Sequence, residues 1–477
     1  MPEILKPDIC VIGAGSGGLS MAAAAAAFGV PTVLIERHKM GGDCLNTGCV
    51  PSKALLAAAK RAEHIHNSTA FGVSAAQVHV DFAQVHDHVH GVIADIAPVD
   101  SAERFTGLGV RVINGSAKFV DRRTVAVGDE FEIRARRFVI ATGSAPAVPP
   151  IAGLDNGPYL TNESIFTLTE RPRHLIIIGA GPIGLEMAQA FRRLGSAVTV
   201  LEAAKPFAKD DPEAAAIVLD QLAREGVVVR AGVKVVKVAH ADGKVAVNID
   251  DGGNEESVDG THLLVATGRK ATVDGLNLEA AGVRYDRAGI KVNRKLKTSN
   301  RRIYAVGDVV AGQPQFTHAA NYHAGLVIRN ALFRLPVRVN VRAIPWVTYT
   351  EPELAQTGLT EAQAREQGHK KLRVMRWPYH DNDRAVAERT THGHIKVVAT
   401  RKGEVLGVTI VGAQAGELIT PWTLAIAQKL NIRAMTGIVL PYPTLSEIGK
   451  RAAIDFFTPS LTRPMLRRII AWLRIFG

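Results

Sequence analysis

A strand, a glycine-rich turn, a helix and a second strand that ends in an acidic residue occur twice in this chain. The first copy runs from Asp8 to Glu36, and the second, HLIIIGAGPIGLEMAQAFRRLGSAVTVLE, runs from His174 to Glu202. In such a unit the turn admits a pyrophosphate at the helix N-terminus, and the terminal acid accepts hydrogen bonds from a ribose. Two copies predict two dinucleotide sites and an α/β fold with buried parallel sheets.

The two turns supply eight candidate cofactor-binding residues, because their glycines allow a tight turn, a close pyrophosphate and close helix packing. They are Gly13, Gly15, Gly18 and Glu36 in the first copy, and Gly179, Gly181, Gly184 and Glu202 in the second. A carboxylate at the second ribose repels a 2′-phosphate, and Ala203 and Ala204 follow Glu202 where arginines would suit NADP. NAD is therefore favoured, while three cations keep NADP open: Arg192, Arg193 and Lys205.

Two of the three cysteines, Cys44 and Cys49, are separated by four residues in the segment GGDCLNTGCVPSK. A pair this close can form a redox-active disulfide beside a flavin, with one sulfur against the ring and the other open to substrate. The alternatives are an inert bridge, which is unusual in a reducing compartment, and a zinc half-site, for which no second Cys or His pair stands at the required spacing. A helix that begins around residues 50–53 would lower the pKa of a nearby thiol. Cys10, within ICVIGAG, is predicted to be a buried strand residue.

Composition and charge restrict the class of partner. The net charge is +12, but the basic residues are spread over many predicted helices, and no nucleic-acid-binding motif accompanies them. No run of 18 apolar residues occurs, and the few cysteines favour the cytoplasm. Several histidines occur between His64 and His90, including the i, i+4 pair His86 and His90. We interpret them as a solvated helix face and predict neither a metal site nor a nucleic acid partner.

The pattern of strands and helices predicts four segments. Residues 1–150 form the first part of a flavin-binding domain, and the Pro-rich exit FVIATGSAPAVPPIAG leads into a nucleotide-binding domain at 151–268. The analogous segment LLVATGRKATVDGL returns the chain to the second part of the first domain at 269–341. From residue 342 to 477 shorter β-type runs and helices indicate a separate C-terminal domain.

Together these motifs resemble the class I pyridine nucleotide-disulfide oxidoreductases, the family of glutathione reductase, dihydrolipoamide dehydrogenase and mercuric reductase. The segment GGDCLNTGCVPSK is the most specific of them. The resemblance implies a homodimer with two Rossmann-like domains that bind FAD and NAD(P)H, followed by an α+β dimerisation domain. It also implies that hydride passes from the nicotinamide to flavin N5, and that the electrons then pass to the disulfide.

The resemblance assigns roles to individual residues. It makes Cys49 the charge-transfer thiol on the flavin side and Cys44 the interchange thiol, and it pairs Lys53 with Glu186 in GPIGLEMAQ near flavin N5. Four further residues match the family's flavin-binding segments: Thr142, Gly143, Gly307 and Asp308.

The chain departs from this family near its C-terminus. Glutathione reductases and lipoamide dehydrogenases carry a His-Pro-Thr-x-x-Glu element whose histidine, contributed across the dimer, shuttles protons. Here the segment reads PYPTLSE, so Tyr442 stands at the histidine position and Glu447 remains. An unperturbed tyrosine titrates at about 10 and an imidazole at about 6.5, so dithiol oxidation is expected to suffer. Reduction of a soft metal ion or of a quinone needs less proton shuttling at sulfur.

Mercuric reductases resemble the chain here, because they also lack the histidine and use a tyrosine in this region. They add a C-terminal cysteine pair and mostly an N-terminal metal-capture domain, whereas no cysteine follows Cys49 here and the sequence starts at the flavin strand. The predicted function is therefore an FAD-dependent NAD(P)H oxidoreductase that passes electrons through Cys44 and Cys49 to a small-molecule or protein-borne acceptor. The alternatives are a dihydrolipoamide dehydrogenase, a mercuric reductase, and a weakly active redox-sensing or membrane-docked flavoprotein.

The tail PMLRRIIAWLRIF predicts an amphipathic helix. A helical repeat places its apolar side chains on one stripe, and no acidic residue follows Asp455. The stripe comprises Met465, Ile469, Trp472 and Phe476, and Arg467 and Arg474 share another stripe. Such a helix can lie in an anionic membrane surface, which would place the protein peripherally at the inner surface of the membrane. Alternatively, it can pack on the partner subunit.

Overall fold

A computed structural model describes residues 1–74, 79–241, 243–461 and 464–476 of the chain. It divides into two compact units, the first made of Met1–Ala204 with Val229–Val341 and the second of Lys205–Val228 with Arg342–Gly477. The second unit thus contains residues 342–477, the segment that the sequence analysis describes as the C-terminal domain. It also contains residues 205–228.

Within the described part of the first 150 residues there are nine strands and five α-helices. The strands are β1 (Glu3–Leu5), β2 (Ile9–Ile12), β3 (Thr32–Glu36), β4 (Arg111–Asn114), β5 (Ala117–Phe119), β6 (Val125–Val127), β7 (Phe131–Ile133), β8 (Arg137–Ile140) and β9 (Ser144–Pro146). The helices are α1 (Ser16–Ala27), α2 (Gly42–Asn46), α3 (Cys49–His66), α4 (Phe82–Ile96) and α5 (Ala102–Gly107).

The middle of the chain continues this alternation. It contains β10 (His174–Ile178), α6 (Pro182–Arg193), β11 (Ala197–Glu202), α7 (Pro212–Arg224), β12 (Val228–Ala231), β13 (Lys234–Ala241), β14 (Lys244–Asp251), β15 (Asn254–Gly260) and β16 (His262–Val265). Then follow β17 (Arg269–Ala271), β18 (Tyr285–Asp286), β19 (Gly289–Ile290), β20 (Ile303–Ala305) and α8 (Thr317–Ala331).

The C-terminal part carries the remaining elements. Its strands are β21 (Trp346–Thr348), β22 (Glu353–Gly358), β23 (Leu372–Pro378), β24 (His394–Thr400) and β25 (Val405–Gly412). Its helices are α9 (Glu361–Glu366), α10 (Asp383–Ala387), α11 (Ala415–Leu418), α12 (Thr420–Ala427), α13 (Arg433–Gly437), α14 (Glu447–Asp455), α15 (Thr458–Leu461) and α16 (Pro464–Leu473).

Two parallel sheets form the centre of the first unit. The order of the five-stranded sheet is β20-β8-β2-β3-β4, and that of the four-stranded sheet is β12-β11-β10-β16. Strands β2 and β10 are buried nearly throughout, because helices cover both faces of a parallel sheet and neither face is exposed to solvent. The predicted α/β fold is confirmed, and both βαβ units lie at the predicted positions, as β2-α1-β3 and β10-α6-β11. Cys10 lies within β2 and is fully buried, and burial raises its pKa.

The second unit is built on one antiparallel sheet, with the order β21-β22-β25-β24-β23. Helix α7 belongs to this unit. Its N-cap residue Asp211 accepts a hydrogen bond from the backbone N–H of Glu213 (3.0 Å). Asp211 also forms an ion pair with Lys396 on β24, whose Nζ lies 2.8 Å away. The ammonium of Lys396 also lies 2.9 Å from Glu213 and 3.3 Å from Glu361, and its side chain is only 3% exposed. This buried ionic cluster ties α7 to the sheet.

Within the described ranges, no helix combines the length and the apolar character needed to cross a bilayer.

Candidate active site

The two glycine turns have the same backbone geometry. Gly13 has φ +102°, and a Cβ added there would lie 2.5 Å from the carbonyl oxygen of Ala141. Gly179 has φ +110°, and its Cβ would lie 2.5 Å from the carbonyl oxygen of Ala266. Both positions therefore require glycine, because the conformation is left-handed and a neighbouring strand leaves no room for a side chain.

The other glycines of the turns separate into a packing position and an open position. A Cβ on Gly18 or Gly184 would lie 1.8 or 2.0 Å from the carbonyl oxygen of the first glycine of its own turn. Gly15 and Gly181 have no protein atom within 4 Å of the added Cβ, so space is left over the start of each helix. Each turn thus forms a cradle at a helix N-terminus, where the backbone can approach an anion closely.

A carboxylate closes each cradle. The Glu36 side chain accepts hydrogen bonds from the backbone N–H groups of Ala14 (2.6 Å) and His38 (2.8 Å). Glu202 repeats this pattern, because it accepts hydrogen bonds from the backbone N–H groups of Ala180 (2.8 Å) and Ala204 (2.9 Å). The open glycine, the helix N-terminus and the carboxylate fit the diphosphate and ribose of a dinucleotide at both turns.

The cysteine segment packs directly on the first turn. The backbone N–H of Gly41 donates to the carbonyl of Ala14 (3.0 Å), and a Cβ on Gly42 would lie 2.7 Å from the Cα atom of Gly15. Cys44 follows within α2, and Cys49 is the first residue of α3. The two thiols are therefore held beside the first of the two dinucleotide cradles.

The two thiols differ in their protonation. Both are free in the structure, with Cys44 half-buried and Cys49 exposed. The hydrogen bond from Cys44 is the largest factor that lowers the pKa of Cys49, to about 6, and the Lys53 ammonium also lowers it. The same hydrogen bond, together with burial, raises the pKa of Cys44. Near neutral pH, Cys49 is therefore the thiolate and Cys44 the thiol, and the position of Cys49 at a helix N-terminus suits its negative charge.

Thr317 is a contact that the sequence analysis missed. It begins α8, and its Oγ1 lies 3.3 Å from Cys49 Sγ. Two helix N-termini, those of α3 and α8, therefore meet at one sulfur, and the Thr317 hydroxyl also lowers the pKa of Cys49. No local signal could have found this residue, because 268 positions separate the two side chains.

Removal of this hydroxyl is expected to shift the titration of Cys49. Thr317→Val keeps the size of the side chain but loses the hydrogen bond, so the thiolate becomes less stable. We expect its pKa to rise by about 1 unit. Thiolate absorbance of the reduced protein, followed against pH, measures the shift. Thr317→Ser should titrate like the wild type, and equal midpoints for the valine and serine variants would contradict this role.

The paired charges Lys53 and Glu186 meet as the resemblance implied. Lys53 Nζ lies 2.8 Å from Glu186 Oε2 and 3.3 Å from Ser52 Oγ. The Glu186 side chain is buried, whereas that of Lys53 is partly exposed. Lys53 lies one turn after Cys49 on α3, so this ion pair holds a positive charge next to the thiolate.

A second polar network joins the cysteine segment to the residues predicted to hold the flavin. Arg269 lies 3.1 Å from Asp43 and 3.8 Å from Asp308, and its Nε donates to Ser144 Oγ (2.7 Å). Ser144 Oγ in turn donates to Asp308 Oδ2 (2.7 Å). Burial raises the pKa of Asp308. Arg269, Ser144 and Asp43 were not among the predicted site residues, although Asp43 stands within the cysteine motif itself.

The remaining predicted flavin residues lie at strand ends of the same unit. Thr142 Oγ1 donates to the carbonyl of Thr272 (2.7 Å), and Gly143 follows with φ +67°. Gly307 has φ +73°, and its N–H donates to Nδ1 of the buried His323 (3.3 Å).

Tyr442 and Glu447 belong to the second unit. Glu447 begins α14. The Tyr442 side chain is 70% exposed, and its hydroxyl donates to Asp383 Oδ2 (2.6 Å). This hydrogen bond raises the pKa of Tyr442. Near neutral pH, even less of the proton-accepting phenolate is therefore present than for an isolated tyrosine.

The two histidines of the pair on α4 are half-buried. The rings of His86 and His90 lie 4.2 Å apart, and His90 Nε2 lies 3.0 Å from the carbonyl oxygen of Phe166. Across the residues that the structure describes, no group of three or more His, Cys, Asp or Glu side chains is arranged to hold a metal ion.

Comparison with known proteins places the chain in one family. The profile described as pyridine nucleotide-disulphide oxidoreductase matches residues 7–324, and that of the family's dimerisation domain matches residues 344–453. Mercuric reductase of Staphylococcus aureus is 35% identical over 94% of this chain and 82% of its own length. Dihydrolipoyl dehydrogenase of Geobacillus stearothermophilus is 33% identical over 94% of this chain and 96% of its own length.

Solved structures agree with this placement. LpdA from Mycobacterium tuberculosis has a TM-score of 0.86 at 25% identity and covers 94% of this chain and 99% of its own. The Cu(II) complex of the HOCl-induced flavoprotein disulfide reductase RclA from Escherichia coli has a TM-score of 0.83 at 26% identity, and covers 96% of this chain and 100% of its own. The chain therefore belongs to the class I pyridine nucleotide-disulfide oxidoreductases, a family of FAD- and NAD(P)H-dependent enzymes, and carries the dimerisation domain that supports a homodimer.

Proposed function

We propose that the protein is a cytoplasmic NAD(P)H oxidoreductase that delivers electrons through Cys44 and Cys49 to an acceptor requiring little proton transfer at sulfur. The observation that supports this most directly is the contact of Cys49 with Thr317 at the meeting point of two helix N-termini. It stabilises one thiolate of the pair beside the first nucleotide cradle.

The chemistry balances as a two-electron exchange. NAD(P)H and the Cys44–Cys49 disulfide give NAD(P)⁺, the Cys44 thiol and the Cys49 thiolate. The acceptor then takes the electron pair and the Cys44 proton passes to it or to solvent, so that the disulfide forms again. Bound FAD supplies the transfer of electrons between nicotinamide and sulfur. We assign Cys49 as the flavin-side thiolate because its pKa is lowered to about 6, and Cys44 as the thiol that faces the acceptor. Lys53, held by Glu186, keeps positive charge beside Cys49.

The state of Tyr442 argues against efficient oxidation of a dithiol such as dihydrolipoamide. A base at this position must be able to accept a proton near pH 7, but the Tyr442 hydroxyl donates to Asp383 and its pKa is raised. An acceptor whose reduction needs little proton transfer at sulfur is therefore favoured over lipoamide.

Introduction of an imidazole is expected to restore dithiol chemistry in part. Tyr442→His places a group with a pKa of about 6.5 at this position, and we expect lipoamide turnover with NADH to rise by about tenfold. Tyr442→Phe is the matched control, since it removes the hydroxyl without adding a base, and it should give no gain. Equal lipoamide rates for the two variants would show that the missing base is not what limits this reaction.

The second nucleotide turn favours NADH. Glu202 is the last residue of β11, at the carboxyl ends of the strands of the sheet that carries the turn, and a carboxylate there repels a 2′-phosphate. Arg192 and Arg193 stand at the other end of α6, about 15 Å along the helix from its start. Arg193 is buried, and Arg192 donates to the carbonyl of Ser196 (3.3 Å). These two arginines are therefore poor candidates to bind a 2′-phosphate.

Steady-state kinetics with the two nicotinamides test this preference. The unfavourable charge at Glu202 should make kcat/KM for NADH at least about tenfold higher than for NADPH, equivalent to about 1.4 kcal/mol. The difference should shrink in Glu202→Gln, which keeps the hydrogen-bonding shape but loses the charge. A wild-type preference for NADPH would refute the assignment.

A second candidate function is the reduction of a soft metal ion. Four relatives that match 94% of this chain at 35–36% identity are mercuric reductases, and RclA was solved as a Cu(II) complex. Thiolates are suitable ligands for soft ions. However, no cysteine follows Cys49 in this sequence, so any ion would have to reach the Cys44 and Cys49 pair without a further thiol relay.

An acceptor screen separates these functions. NADH oxidation by the FAD-loaded protein is measured with Cu(II), Hg(II), a water-soluble quinone and lipoamide, each against Cys44→Ser. Stimulation by a metal ion that is lost in Cys44→Ser supports the second candidate, and quinone turnover that depends on Cys44 supports the first. Lipoamide as the fastest acceptor would overturn our proposal in favour of a dihydrolipoamide dehydrogenase.

A further inference from the structure

The C-terminal helix α16 presents large apolar side chains to solvent. Five of them are exposed, with fractions from 42% for Ile469 to 74% for Met465 and 59% for Trp472. Trp472 also packs edge-to-face on Phe476, with ring centroids 5.0 Å apart. A contiguous exposed apolar surface of this kind is typical of a site that contacts another molecule or a membrane.

The arginines of α16 border its apolar face on both sides. At about 3.6 residues per turn, the apolar residues from Met465 to Leu473 cover an arc of about 160°. Arg468 lies beyond one border of that arc, next to Trp472, and Arg467 lies beyond the other, next to Ile470. An apolar face with cations along both edges suits a bilayer surface, where the long arginine side chains reach the lipid head groups.

A basic groove on the body of the second unit is an independent observation. It lies where the loop before β23 meets the turn between β24 and β25, since Leu372 pairs with Thr400. The lining side chains include Lys370, Lys371, Arg401 and Lys402, with Glu404 as the one acidic member. All four cations are exposed, and none forms an ion pair within the described part of the chain.

The chain leaves the body of the unit beside this groove. Arg373, two residues after Lys371, donates to the carbonyl of Phe456 (2.8 Å) and lies over the Phe456 ring at 5.0 Å. Arg433 lies 5.9 Å from the ring centroid of Phe457. Since α15 follows these two phenylalanines directly, the chain departs towards α16 from the same basic end of the sheet.

We propose that this basic end and α16 together form a docking surface for an anionic lipid bilayer. The groove and the arginines of α16 attract acidic head groups, and the apolar face of α16 enters the boundary between head groups and acyl chains. Each basic residue near such a surface strengthens binding roughly fivefold. This inference does not depend on the identity of the electron acceptor.

Charge complementarity favours lipid over a second copy of the same surface. From residue 456 to the end, the sequence contains four arginines and no acidic residue. Two such surfaces that met about a two-fold axis would bring like charges together. The negative head groups of an acidic bilayer can instead neutralise the positive charges of this surface.

Vesicle co-sedimentation of the FAD-loaded full-length chain tests the proposal. We expect binding to vesicles of phosphatidylcholine with phosphatidylglycerol, little binding to phosphatidylcholine alone, and a marked loss in high salt because exposed charges are then screened. Trp472 should report insertion by a blue shift of its emission. Arg467→Gln/Arg468→Gln/Arg474→Gln should weaken binding on the order of 100-fold, and Ile469→Asp/Leu473→Asp should abolish it.

A further variant separates the groove from the tail. Lys370→Glu/Lys371→Glu/Arg401→Glu/Lys402→Glu should lower vesicle affinity and leave NADH oxidation by a soluble acceptor unchanged, which also shows that the fold is intact. Equal binding to neutral and anionic vesicles, or no binding at all, would overturn the proposal. So would a loss of the dimer on truncation after residue 463, measured by light scattering, since α16 would then serve the partner subunit.

Discussion

Cys49→Ser is expected to abolish the long-wavelength absorption band that the FAD-loaded protein develops after it takes up two electrons. The band requires a thiolate against the flavin, and Cys49 is the sulfur whose pKa is lowered to about 6. Because the pKa is lowered, the band of the wild type should be fully developed above about pH 7 and should fade as the pH drops through 6. Turnover that depends on the disulfide should fall below about 1% of the wild-type rate.

Cys44→Ser is the matched variant. It also removes the disulfide and should lose turnover to the same extent, but it leaves Cys49 as a permanently free thiol. A serine hydroxyl can still donate a hydrogen bond to Cys49, as the Cys44 thiol does in the native pair. We therefore expect the oxidised protein to show the band without any reductant. A band that survived Cys49→Ser would reverse the assignment of the two sulfurs.

Lys396→Met is expected to cause a large loss of stability in the second unit. The substitution removes the cation from a cluster in which Asp211 is 2% exposed and Lys396 itself is 3% exposed. Removal of one partner of a buried ion pair costs about 3–5 kcal/mol, because the remaining charge is left without compensation. Denaturant unfolding followed by circular dichroism measures the change in the free energy of unfolding.

The second variant in this test also removes the negative charge of Asp211, which Lys396→Met leaves without a partner. Lys396→Met/Asp211→Asn keeps a side chain that can cap α7 through the backbone N–H of Glu213, so it should recover a large part of the lost stability. Arg376→Gln is a control for a more exposed cation of the same cluster and should cost roughly 1 kcal/mol. A loss below about 1 kcal/mol in Lys396→Met would mean that water reaches Asp211 after the substitution.

The local features of the fold could be predicted from the sequence. The glycine turns, the strands that end at Glu36 and Glu202, and the start of α3 close to Cys49 all lie where they were expected. The physical reason is that a left-handed turn, a buried strand and a helix start are set by residues close together in the chain. The resemblance added the Lys53 and Glu186 pair, which no local pattern joins.

Only the tertiary structure revealed what controls the thiols. Thr317 reaches Cys49 from 268 positions away, and Arg269 comes from another part of the chain to lie between Asp43 and Asp308. The grouping of residues 205–228 with the C-terminal unit likewise depends on the buried contact of Asp211 with Lys396. A thiol's pKa and a buried ion pair depend on distance and burial in space, and these arise when remote segments pack together. The sequence by itself determined the two nucleotide cradles and the cysteine segment, whereas tertiary packing decided which charges and hydroxyls surround them.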